Sequence, residues 1–176
     1  MQTRLVVWVE GDTDRSLVEA VVQSRIGSRY SQVVVKAYRQ SETRVINKEL
    51  ASLAHQGFDR LFLVDLNSSP CVTHRKEKIQ QRYPALEPLE IVVVAAEIES
   101  WYLAGLSSDG ELALRVSAPA STDSFTKEGL DRLRPARFAG PRPFLLELLK
   151  YFDWDLACQR NHSFAYLDRV LQSFYA

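Results

Sequence analysis

The 176-residue chain is poor in cysteine: Cys71 and Cys158 are its two thiols, far apart and without C-x-x-C spacing. That excludes a zinc ribbon or a disulfide framework and suits a reducing compartment. Net charge is missing too. Lys+Arg and Asp+Glu both number 22, so no overall basic field marks a nucleic-acid binder, and such binding must rest on local patches. Long hydrophobic runs are also absent. After "MQTR" come only Leu5 to Val9 before Glu10, too short for a signal h-region or a membrane span, so a cytoplasmic protein with no membrane partner is expected. Internal repeats and low-complexity tracts are lacking, and the length suits one α/β domain with a real core and a small appended lobe.

What is present is an alternation of two patterns. Apolar, β-branched runs occur at "RLVVWV" (4–9), "QVVVKAY" (32–38), "RLFLVD" (60–65) and "LEIVVVAA" (89–96). They are continuous, as in strands buried on both faces. Between them, Leu17, Val18, Val21, Val22 and Ile26 share a helical face, as do Val45, Ile46, Leu50 and Leu53, while "THRKEKIQQRY" (73–83) reads as a polar, solvent-facing helix. This predicts an α/β fold with a parallel, doubly wound, Rossmann-like sheet over residues 1–106. The Ser-, Gly- and Pro-marked stretch 107–124 reads as a boundary. Residues 125–176, with helical periods in "FLLELLKYF" (144–152) and "SFAYLDRVLQSFY" (163–175), predict a helical lobe packed on the core as one compact unit.

Carboxylates gather where strands end: Glu10 before Gly11, Asp65 with Asn67 in "LVDLN", and Glu97 with Glu99 in "AAEIES". In a parallel sheet these ends share one edge, the edge where open α/β sheets keep their sites. Clustered carboxylates repel unless a cation or proton intervenes, and Mg²⁺ takes one or two carboxylates plus water and substrate phosphate. The expectation is a Mg²⁺ (or Mn²⁺) site holding Glu10, Asp65 and Glu99 within about 10 Å of one another. A blander reading stands beside it, since acids at helix starts complement the dipole; Asp12 and Asp14 fit that role equally well.

"VEGDTD" resembles the E-G-x-x-D signature of Toprim domains, and "LFLVDLN" resembles their strand-terminal D-x-D with Asn67 in place of the second acid. The resemblance implies acid/base chemistry or metal binding for Glu10 and metal binding for Asp65 and Asn67, with Asp14 at the last position of the signature. Losing one negative charge at Asn67 weakens the implied metal site. "EIESWYLAG" and "RNHSFAYLDRVL" are similar to segments of the Toprim-like DUF4276 and RloB-like group, often phage-defence-associated and related to OLD nucleases. There the spacing to Trp101 singles out Glu99 over Glu97. A metal-dependent nuclease on DNA or RNA is implied, with Glu10 and Glu99 catalytic. The alternative is a catalytically silent module that binds nucleic acid or a defence-system partner protein.

"LVDLNSSP" also looks like the phosphoacceptor strand of response-regulator receivers. The hydroxyl that should end the fourth strand and the Lys of a fifth are missing. Arg132, Arg134, Arg137 and Arg142 form a patch fit for phosphates, or a solvated loop. Arg160 is a possible accessory to the site, Ser163 is a candidate helix cap, and His162 lacks a second ligand at metal spacing.

Overall fold

The structure, a computed structural model, describes residues 4–26 and 29–174. The first three residues of "MQTR" and Tyr175, the last residue of the expected final helix, lie outside the described residues. The described chain divides into two compact units between Val93 and Val94, the first taking up Gln172 to Phe174 as well.

The first unit is built on strands β1 (Arg4–Val9), β2 (Gln32–Ala37), β3 (Asp59–Asp65) and β4 (Ile91–Val94), in the order β2-β1-β3-β4. The sheet is parallel, with Val7 opposite both Val35 and Leu61. Successive side chains of a strand point to opposite faces, which splits its core in two. Val6, Trp8, Phe62, Val64, Ile91 and Val93 pack with Ile46 and Leu50 of α3 (Thr43–His55) and Ile79 of α4 (Val72–Arg82). Leu5, Val7 and Val9 point the other way and are fully buried. Helices α1 (Asp12–Leu17) and α2 (Gln23–Ile26), joined by a π-helical turn over Val18–Val22, bury Leu17, Val18, Val21, Val22 and Ile26 as their spacing requires. The fold is Rossmann-like α/β, with the strand order reversing between β1 and β3.

Three local readings change. Val45 leaves the expected apolar face and is 52% exposed, because Ile46 and Leu50 already fill the stripe that meets the sheet. The fourth strand is shorter than 89–96: Pro88–Glu90 form a 3-10 turn before it. Glu90 is held there by the Glu87 backbone N–H (2.7 Å) and by Arg60, which donates to it from Nε (2.9 Å) and Nη2 (2.7 Å). Helix α4 forms as expected, but it is not wholly solvent-facing, since Ile79 is core.

The second unit contains α5 (Glu99–Ala104), α6 (Ser108–Leu114), α7 (Lys127–Leu133), α8 (Pro141–Leu149), α9 (Trp154–Arg160) and, up to Leu171, α10 (His162–Ser173). The 107–124 stretch thus includes a helix, started by the Ser107 hydroxyl accepting from Gly110 N–H at 3.3 Å. Helix α8 begins at Pro141, where a missing N–H costs nothing, and stops before Phe152, which bridges to Leu106. Aromatic packing of Phe164 against Trp101 (5.2 Å between centroids) and Trp154 (4.7 Å) forms its core.

Asn161, rather than Ser163, caps α10. Its side-chain oxygen accepts the Phe164 backbone N–H at 3.0 Å. Ser163 is committed elsewhere: its hydroxyl accepts from Trp101 Nε1 (2.8 Å) and the Ala95 N–H (3.3 Å) and donates to Asn161 (2.7 Å).

Candidate functional site

In the first unit Glu10 and Asp14 follow β1, and Asp65 ends β3 with Asn67 two residues beyond it. Trp8 stands opposite Phe62, so Glu10 and Asp65 follow at the carboxyl edge of neighbouring strands, on the two sides of the point where strand order reverses. Such a switch point leaves a crevice above the sheet. Burial, then the charges of Glu10 and Asp14, push the Tyr38 hydroxyl well above the usual phenol range; Arg75 opposes this and Asp65 adds a smaller push. The Tyr38 ring packs on Phe62 with 4.6 Å between centroids, fixing it beneath the site.

Gly11 is the cap residue of α1, and Asp12 is exposed. Asp14 reaches back to accept the Gly11 backbone N–H at 3.2 Å. Only 8% of Asp14 is exposed, and burial raises its pKa to about 6, helped by the charge of Glu10. Asp14 therefore serves the helix start while holding a proton more tightly than an ordinary aspartate.

Asn67 adopts a left-handed backbone conformation, φ 50°, which Asn and Asp tolerate better than other side chains. Its exposed amide lies at the mouth of a cavity of about 380 Å³, lined also by Glu10, Tyr38 and Tyr83. Apart from Ile79, the rest of that lining is cationic: Arg39, Arg75, Lys78 and Arg82. Reading the sequence for function missed this set. Its signal was there, since 75, 78 and 82 repeat at i, i+3 and i+7 on one helix face directly after the "VDLN" strand end. Arg39 arrives by another route, because β2 continues alongside the end of β1, with Tyr38 N–H on Val9 O (2.9 Å) and Arg39 N–H on Glu10 O (3.3 Å).

The other expected residues lie in the second unit. Glu99 opens α5 and lines a cavity of about 620 Å³ that Lys127, Asp131, Arg132 and Phe144 also line. Glu97 accepts the Lys127 backbone N–H at 2.7 Å, capping the start of α7, with Lys127 Nζ 3.6 Å away. Arg160 holds the Leu106 carbonyl (2.7 Å) and Glu111 (3.6 Å), a brace within this unit. Arg134 is tied to Asp131 (2.7 Å) and the Phe138 carbonyl (2.6 Å), and Arg137 to the Ala113 carbonyl (3.1 Å). Arg132 and Arg142 stay exposed. His162 is an exposed partner of Asp123 (2.5 Å); burial opposes it, but the His162 hydrogen bonds hold the Asp123 carboxyl below its usual value.

No protein-family model matches the chain, and no curated protein matches it in sequence. Among solved structures, the C-terminal region of the Burkholderia pseudomallei OLD protein is similar at 18% identity with a TM-score of 0.48, over 98% of this chain and 97% of that one. The site's chemistry rests on this chain's own residues.

Among the described residues, no group of three or more His, Cys, Asp or Glu is placed to hold a metal ion, and no helix is long and apolar enough to cross a membrane. Two carboxylates and an amide oxygen, with water and substrate phosphate completing the shell, still match what Mg²⁺ accepts. Glu10, Asp65 and Asn67 carry hard oxygen donors of that kind, at the carboxyl ends of β1 and β3.

Proposed function

We propose that the first unit carries a Toprim-like, divalent-cation-dependent phosphodiesterase centre acting on nucleic acid. The observation that carries this reading is the placement of Glu10 and Asp65 at the carboxyl ends of the neighbouring strands β1 and β3, on the two sides of the switch point of the sheet. Asp65 and Asn67 would hold Mg²⁺ or Mn²⁺, and Glu10 would complete the shell or take the proton of the attacking water. A bound ion would supply charge stabilisation at the phosphoryl oxygen and a more acidic water. Glu99 belongs to the same proposal through the resemblance of "EIESW" to the DUF4276 and RloB-like group, as does a setting in phage defence.

Asn67 supports a second reading. One carboxylate fewer than D-x-D favours a silent module that binds nucleic acid or a defence-system partner protein.

Cleavage of single- and double-stranded DNA and RNA with Mg²⁺ or Mn²⁺ separates the two. The first reading expects cleavage abolished by chelator and lowered by about 100-fold or more in Glu10→Gln, the usual scale for a positioned proton acceptor. Cleavage unaffected by Glu10→Gln and Asp65→Asn would reject it, and no cleavage of any substrate would leave the silent module.

A further inference from the structure

Four cations face one cavity with a single acid, Glu10, among its lining residues. Arg75 donates from Nε to the Asp65 backbone carbonyl (2.8 Å), and Arg82 reaches the Thr43 hydroxyl (2.9 Å). Both bonds are to neutral acceptors, so they position the guanidinium groups without neutralising them. Among the described residues, none of the four forms an ion pair with a carboxylate. Four cations against one lining carboxylate repel one another and raise the local potential, a cost that an anion would remove. Tyr83 also lines the cavity; it is 1% exposed, and its hydroxyl has no protein hydrogen-bond partner.

We infer that this cavity seats the phosphate backbone of the nucleic acid, with Arg39 and Lys78 as phosphate contacts and Arg75 and Arg82 as fixed positive walls. The inference rests on the proposed phosphodiesterase reading for its substrate, and it moves the main phosphate contact from the 132–142 arginines to α4. Arg guanidinium suits paired phosphate oxygens, while Lys78 acts as a point charge. Phosphate contacts fix register without reading sequence, so the seat is expected to tolerate any base composition. Because Glu10 lines the same cavity, a phosphate held there lies beside the carboxylate proposed to take the proton.

The test is fluorescence anisotropy of labelled DNA and RNA oligonucleotides over a salt series, in chelator, so that neither metal nor cleavage contributes. The variant is Arg39→Gln with Lys78→Gln, chosen because both side chains are exposed. Each lost phosphate contact lowers the slope of log affinity against log salt by about 0.9 for duplex DNA, so a slope reduced by about 2 and affinity lowered about tenfold or more at low salt are expected. Arg132→Gln with Arg142→Gln is the competing arm. The inference is overturned if the α4-side variant binds like the parent, if only the competing arm changes the slope, or if the parent binds no oligonucleotide at low salt. Protection of the parent by inorganic phosphate alone, without oligonucleotide binding, also overturns it in favour of a small anion. Failure here leaves metal-dependent cleavage to be judged separately, and loss of cleavage with binding intact removes the catalytic reading while the phosphate seat stands.

Discussion

The carboxylate of Asp14 accepts the backbone N–H of Gly11 at 3.2 Å, tying the first turn of α1 back to the residue that follows Glu10. Its pKa of about 6, set by burial and then eased by that hydrogen bond, means that the folded protein binds this proton more tightly than the unfolded chain, whose value is 3.8. Stability from this group is therefore complete below the unfolded value and is lost as pH rises from about 4 to about 6, a total of roughly 3 kcal/mol. Asp14→Asn keeps an oxygen for Gly11 and removes the charge. Denaturant melts in metal-free buffer should show the parent losing stability across that window and the variant staying flat and more stable at neutral pH. Parallel profiles would mean that Asp14 ionises normally.

Divalent cation should stabilise the parent. At an ion concentration 100-fold above its dissociation constant the gain is about 2.7 kcal/mol, several degrees in a thermal melt. Asp65→Ala should abolish the shift. Asn67→Asp should enlarge it, because the left-handed backbone at this position accepts Asp as readily as Asn, so the added charge arrives without strain. Equal shifts in all three proteins would make these residues structural.

Arg60 is 7% exposed and makes four hydrogen bonds, two to Glu90 and one each to the carbonyls of Leu50 and Ala85 (both 3.0 Å). These join β3 to α3 and to the turn before β4. Arg60→Met leaves the Glu90 carboxylate half-buried and unpaired, a loss of about 3 kcal/mol that urea denaturation would register. A smaller loss is expected when Glu90→Gln accompanies it, since no charge then remains to be compensated.

In the second unit Ser163 joins Trp101, Asn161 and the Ala95 N–H. Ser163→Ala leaves the fully buried Trp101 Nε1 without its acceptor, for a cost of about 2 kcal/mol in chemical denaturation. His162→Ala, at an exposed residue beside it, should cost well under half of that.

The strands were legible because buried parallel strands need continuous apolar runs, and "RLVVWV" or "RLFLVD" has no other use. The start of β4 was not, because Leu89 belongs to a turn held by Glu90 and Arg60, partners 30 residues apart. The cap of α10 was misassigned to Ser163 for a similar reason. "RNHSF" offers two competent caps, and the indole of Trp101, 62 residues away, takes Ser163 and leaves Asn161 for the helix. Glu10 and Asp65 could be read from strand ends and motif. The basic wall facing Glu10 was missed: helical spacing puts 75, 78 and 82 on one polar face, but only the tertiary fold turns that face into the side of a cavity.

The central claim is that Asp65, with Glu10 and Asn67, forms a divalent-cation site at the switch point of the sheet. Anomalous diffraction from crystals soaked in Mn²⁺ tests it most directly. The account predicts an ion bonded to the Asp65 carboxylate, with Glu10 or Asn67 in its shell directly or through one water. Mn²⁺ bound only elsewhere, or no ion there at concentrations that support cleavage, would contradict it.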